Sequence, residues 1–245
     1  MLQNDEFMQQ QNVWWSSNVL NYKNSVALKA KEEKQISFKN GETALAFLNN
    51  VENAPWIQKD PRVCITLGTW LELLNSEPAV LFTYRHPLEV AYSLNKREKN
   101  FSIEHGLRLW IIYNMRALQN SDGLCRVYTS NEGILGDTMG ELYRVTSRLK
   151  DKCGIPMPPK NITKEDVKVF IDQNLQHTNQ NERDRDKPVI EEHGKCKIHE
   201  YDTSLVKESA AYIRERSLYI KAMKIYCDFR SGDAYSKDYD WPTLD

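Results

Sequence analysis

The sequence predicts an α/β fold, a parallel sheet flanked by helices, and three observations carry that prediction. Ala79 to Tyr84 is a continuous apolar and aromatic run, the pattern of a strand covered on both faces of a sheet. The run ends on Arg85-His86-Pro87, and proline suits the first turn of a helix, where its missing N–H would be unsatisfied anyway. Between residues 55 and 135 strand and helix signals alternate at spacings that crossover connections require.

In chain order, residues 1–50 read as a helical but weakly apolar segment. Phe7, Met8, Trp14, Trp15 and Leu20 are its apolar side chains, and Lys29 to Lys34 is its solvated face. A short helix is expected over Glu42 to Asn49. Trp56-Ile57-Gln58 reads as a short strand, and Val63 to Leu74 as a helix with Ile65, Leu67, Trp70, Leu71 and Leu74 apolar. After the central strand, the helix beginning at Pro87 puts Leu88, Val90, Ala91, Tyr92 and Leu94 on a broad apolar arc, opposite Glu89, Ser93, Lys96 and Arg97. Ser102 caps a longer helix with the stripe Ile103, Leu107, Trp110, Ile111, Asn114 and Leu118, and Asn120 to Gly123 ends it.

Leu124 to Thr129 is the next strand, and Ser130 to Asp137 a loop. Met139 to Lys152 is an amphipathic helix closed by Cys153-Gly154, with a proline-rich turn after it. Thr163 caps a helix over Lys164 to Ile171. The α/β core thus spans 51–178. A polar linker follows over 179–202, then a helix over 203–230 that packs on the core with Val206, Ala210, Ile213, Ile220 and Cys227 on its stripe. Residues 231–245 form a tail expected to be loose.

Composition narrows the classes of function. The chain has 245 residues, enough for one domain with a real core, and 33 basic against 34 acidic side chains. A formal net charge of -1 gives no electrostatic footprint for nucleic acid and no polybasic membrane patch. No run approaches the roughly 18 apolar residues of a membrane span. The opening MLQNDEFMQQQNVWW has the character of neither a secretory signal nor a transit peptide. Five scattered cysteines (Cys64, Cys125, Cys153, Cys196 and Cys227), odd in number and without a CxxC, read as free thiols in a reducing compartment, so the chain as given reads as cytoplasmic.

The chemistry-bearing candidates lie at strand ends. Arg85 follows the central strand and Ser93 stands eight residues on in the next helix. A guanidinium there can grip a phosphate bidentately while a hydroxyl donates a further bond. The competing reading is an ion pair with a neighbouring helix and a serine on a solvated face. Lys59-Asp60-Pro61-Arg62 offers a carboxylate base and two cations; the competing reading is an Asp–Arg pair that caps the following helix. His193, Cys196 and His199 are three soft ligands at short spacing, one fewer than a structural zinc site wants, so a polar loop is the expectation and no metal is assigned.

WIQKDPRVCITLGTWLELL followed by PAVLFTYRHPLEVAYSLNKRE resembles the sulfotransferases that use 3′-phosphoadenosine 5′-phosphosulfate (PAPS), and more closely the sulfotransferase-like proteins of bacteria and algae with a KDPR element. The resemblance covers roughly residues 55–137, and more loosely 139–152 and IDQNLQH. It implies a P-loop, nucleoside-kinase-like fold and sulfuryl transfer from PAPS to a hydroxyl or amine of a small-molecule or glycan acceptor, without a metal. Arg85 and Ser93 match the family's 3′-phosphate pair in residue type and spacing. Asp60 stands where a base is expected, with Lys59 and Arg62 as charge stabilisers. The tyrosine that lies near adenine in many members is absent from Asn131-Glu132-Gly133-Ile134. The family's opening strand and GxxRSGTS-like loop have no counterpart in these residues. The resemblance therefore implies either an N-terminally incomplete chain or a degenerate module that binds adenosine 3′,5′-bisphosphate, or a protein partner, without turnover. An incomplete start would also leave room for an N-terminal Golgi anchor.

Overall fold

The computed structural model describes residue 8 and residues 45–98, 101–157, 162–170 and 210–244. The expected N-terminal segment lies outside these residues apart from Met8 and 45–50. So do the IDQNLQH segment from 171 on, the polar linker, the His193–His199 loop and the first turns of the last helix. Among the described residues the chain is α/β, mostly helical, with one two-stranded parallel sheet. The order is α1 (Val63–Leu73), β1 (Val80–Tyr84), α2 (Pro87–Arg97), α3 (Ile103–Asn120), β2 (Arg126–Ser130), α4 (Asn131–Gly136), α5 (Thr138–Cys153), α6 (Lys164–Phe170) and α7 (Ala210–Ser231). Two compact units share these elements; the described part of one is residue 8, 45–83, 113–157 and 162–164, and of the other 84–98, 101–112, 165–170 and 210–244.

In the first unit β1 and β2 lie side by side, and the Val80 N–H donates to the Cys125 carbonyl at 2.8 Å. Phe82 is buried and meets the Tyr128 ring edge-on at 6.1 Å. The apolar run at β1 predicted a strand covered on both faces, but Leu81 and Thr83 are exposed and only Phe82 is buried. In a two-stranded sheet each strand is an edge, and alternation returns. Trp56-Ile57-Gln58 is not a strand. Ile57 is exposed, and the Trp56 indole N–H donates to the Leu48 carbonyl at 3.1 Å, which pins the segment as coil.

Helix ends in this unit are closed by side chains. Asn49 donates from Nδ2 to the Leu73 carbonyl and accepts the Asn75 N–H, which finishes α1. Arg126 donates to the Leu118 carbonyl near the end of α3, where a cation also suits the helix dipole. Asn120 donates to the Cys64 carbonyl and so ties the end of α3 to the start of α1. The stretch expected as a loop at 130–137 is the short helix α4. The Ser130 hydroxyl accepts the Gly133 N–H at its start, a capping pattern that outweighs the glycines within it. Asp137 caps α5 in the same way, and Gly154, with φ of 67°, ends it.

Cys125 and Cys153 form a disulfide across 28 residues, and Cys227 in the second unit is disulfide-bonded as well. The expectation of five free thiols is therefore corrected. Cys64 is the free cysteine among the described residues. Spacing along the chain carried no trace of the pairing, because the fold creates it by returning α5 to the head of β2.

The second unit is built on aromatic packing. Phe229 of α7 meets Tyr84 (5.0 Å), Tyr235 (5.8 Å), Trp110 (6.0 Å) and Trp241 (6.3 Å). The buried face of α7 is Leu218, Tyr219, Ala222, Met223, Ile225, Tyr226 and Phe229, whereas Ile220 is 45% exposed. The expected stripe through Ile220 and Cys227 is thus rotated about the helix, since tyrosines and phenylalanine rather than the aliphatic residues set the face. The tail expected to be loose is packed. Ala234 and Leu244 are buried, the Tyr239 hydroxyl donates to Asp228 at 2.5 Å, and Lys221 Nζ donates to the Thr243 carbonyl.

Helices α2 and α3 approach closely at Gly106, where a Cβ would stand 2.8 Å from the Ala91 Cα. Gly106→Ala gains roughly 1 kcal/mol of helix propensity but overpacks a backbone contact, at a cost of about 1–3 kcal/mol. The backbone cannot rotate away as a side chain can, so the expected result is a lower urea midpoint. An unchanged or higher midpoint would show that the helices are not in contact there.

Candidate functional site

The strand-to-helix junction is built as the sequence suggests. Arg85 and His86 link β1 to α2, and Pro87 occupies the first turn of α2. Contacts of both its backbone and its side chain hold Arg85. Its carbonyl accepts the Trp110 indole N–H at 2.9 Å, and its Nε donates to Glu89 Oε2 at 2.6 Å, one helical turn on. The Arg85 side chain is 28% exposed and that of Glu89 12%, so the pair sits at the rim of the unit rather than in open solvent. His86 is buried beside the Tyr226 ring, 5.1 Å between centroids. Ser93 is half-buried on α2, in the same unit as Arg85.

Lys59, Asp60 and Arg62 belong to the first unit. Lys59 is exposed. Asp60 is nearly buried, with a side chain 3% exposed, and both of its oxygens are engaged. Arg62 donates from Nε to Oδ1 and from Nη2 to Oδ2, each at 2.8 Å, and its backbone N–H also reaches Oδ1. This Asx-type turn leads into α1, and Thr66 donates back to the Arg62 carbonyl.

Tyr113, which sequence reasoning passed over, stands close enough to feel this pair. Burial pushes its hydroxyl well above the ordinary tyrosine range, the Asp60 carboxylate adds to that, and Arg62 opposes it. Burial likewise pushes the Cys64 thiol far up, so it stays protonated and is a poor nucleophile.

A further polar network lies at the end of β2. Glu141 accepts from Arg144 (2.7 Å from Nε) and from the Thr129 hydroxyl (2.6 Å), while Arg144 also donates to the Tyr128 carbonyl at 2.6 Å. Two signals in the sequence were legible in retrospect. Glu89 lies four residues after Arg85, in the first turn of α2, and Arg144 three after Glu141, as helical neighbours. The Trp110–Arg85 contact spans 25 residues and had no local signal. Among the described residues no three His, Cys, Asp or Glu side chains gather as a metal site would need, and no helix is long and apolar enough to cross a membrane.

No protein-family model matches this chain, and neither a curated protein nor a solved structure is significantly similar to it.

The hydrogen bonds from Arg144, helped by Thr129, hold the Glu141 carboxyl below its ordinary value. A depressed folded value stabilises the fold above the ordinary glutamate range, about pH 4.3, and that contribution is lost as pH falls through the folded value. Glu141→Gln should therefore flatten the acid limb of a plot of urea midpoint against pH. Parallel acid limbs for the two proteins would refute the network's role.

Proposed function

We propose that the β1–α2 junction binds the 3′-phosphate of an adenosine 3′,5′-bisphosphate group, as the nucleotide half-site of a sulfuryl transferase. Arg85 makes the charge-assisted contact and Ser93 adds a hydroxyl. The observation that carries the reading is the placement of Arg85, immediately after a parallel strand, at the start of a helix and with its backbone anchored by Trp110. Strand ends that open into helices are the ligand-binding edge of α/β sheets. PAPS, when bound, would supply the sulfuryl group, and the acceptor would be a hydroxyl or amine, including that of a carbohydrate. In this reading Asp60 takes the acceptor's proton, and Lys59 and Arg62 offset charge.

The residues fit a phosphate with one opposing feature. Glu89 places a carboxylate on Arg85 Nε, so an incoming phosphate meets a like charge beside its partner. That carboxylate also orients the guanidinium before any ligand arrives. The two effects separate on substitution, because Glu89→Gln keeps an acceptor for Nε while removing the repulsion.

A second reading, binding without turnover, is favoured by Asp60. Both oxygens of this carboxylate are taken by Arg62, so proton abstraction would require that pair to open. Release of adenosine 3′,5′-bisphosphate from PAPS by the full chain, in the presence of a mixed glycan acceptor, supports transfer; tight binding with no release supports the second reading.

Calorimetry with adenosine 3′,5′-bisphosphate tests the half-site itself. Arg85→Ala should lose on the order of 2–3 kcal/mol, or roughly 30- to 150-fold in affinity. Ser93→Ala should lose less, and Glu89→Gln should bind more tightly than the parent. Equal affinity with and without Arg85, or no binding by the parent, would overturn the proposal.

A further inference from the structure

Helix α5 is fastened differently along its two halves. Its N-terminal half is seated by several independent contacts. The Asp137 carboxylate caps Gly140, Thr129 donates to Glu141, Arg144 donates to the Tyr128 carbonyl of β2, and Val145 is buried. From residue 146 on, the character changes. Ser147, Arg148, Lys150, Asp151 and Lys152 are exposed, Leu149 is half-buried, and the Thr146 hydroxyl bonds back within the helix to the Leu142 carbonyl. What fastens the far end is the Cys153–Cys125 bond, just before Gly154 turns the chain away. Cys125 is in turn the residue whose carbonyl accepts the first hydrogen bond of the parallel ladder, from Val80. Both cysteines are half-buried rather than enclosed in the core.

We propose that the Cys125–Cys153 disulfide is a redox latch on the C-terminal half of α5. Closed, it clamps residues 146–153 to the head of β2. Opened, it releases those turns while the N-terminal half of the helix stays on the sheet. The opening agent is a dithiol. One of its thiolates attacks a sulfur of the pair, the other cysteine leaves as a thiolate and takes up a proton, and the second thiol of the reductant then displaces the mixed disulfide. Two electrons and two protons pass to Cys125 and Cys153, and the reductant ends as a disulfide. Local release of this kind is expected where a helix segment has few buried apolar contacts and one covalent anchor.

The test is hydrogen exchange read by mass spectrometry on the full chain, comparing the oxidised parent with Cys125→Ser/Cys153→Ser, in which the disulfide of Cys227 is left alone. Peptides covering 146–157 should exchange about tenfold faster in the variant, with peptides over 126–130 and 138–145 little changed. A second arm uses dithiothreitol on the parent. The same peptides should speed up and return to the slow rate on reoxidation. Unchanged exchange over 146–157 overturns the latch. So does acceleration spread evenly over the first unit, or a variant that fails to fold, since either shows a staple for the whole unit. Reduction that proceeds only when the unit unfolds overturns it as well.

Discussion

The hydrogen bond from the Trp110 indole to the Arg85 carbonyl is the contact on which the second unit turns. A strand end leaves its last carbonyls without ladder partners, and a buried one left unpaired costs about 1–3 kcal/mol. Trp110 supplies the donor from α3, and its ring lies 6.0 Å from Phe229 of α7. Tyr84, the last residue of β1, packs on the same phenylalanine. One polar contact and one ring cluster therefore determine where β1 stops, where α2 starts and which face α7 buries. The segment after α7 is drawn into the cluster through Tyr235 and Trp241, and Tyr239 bonds to Asp228 behind them.

Each arginine of interest is held by a carboxylate close to it in sequence, Arg62 by Asp60 and Arg85 by Glu89. The two pairs differ in what they leave available. Asp60 and Arg62 are almost wholly covered and joined by two parallel bonds, the arrangement that most strongly resists opening. Arg85 and Glu89 meet through Nε and stand nearer to water, where an ion pair contributes less.

How legible these features were depended on the range of the interaction. The junction at Arg85 was readable because its determinants are contiguous: an apolar run, a charge, then Pro87. The helices α1, α2, α3 and α5 follow from periodicity and caps, and Asp60 two residues before Arg62 reads as a pair. Misreadings arose where distant residues decide. Trp56 looks like part of a strand until Leu48 takes its N–H. The aliphatic spacing in α7 points to a stripe through Ile220, although the packing of Tyr226 and Phe229 on Tyr84 sets the helix phase. Aspartates and tyrosines after Ser231 read as a polar tail, yet each tyrosine carries a ring that α7 can cover.

The cysteines extend that argument to the chemistry of the surroundings. An odd number without a CxxC suggested free thiols, and a reducing compartment followed from that suggestion alone. With Cys125 joined to Cys153 and Cys227 also oxidised, each unit contains a disulfide-bonded cysteine. Such bonds persist where the medium is oxidising. Cys64 obeys a different rule, since burial keeps its thiol protonated and a protonated thiol exchanges slowly with disulfides. The same chain thus carries oxidised pairs together with a reduced thiol that burial withholds from exchange, and the ground for assigning it to a reducing compartment is gone.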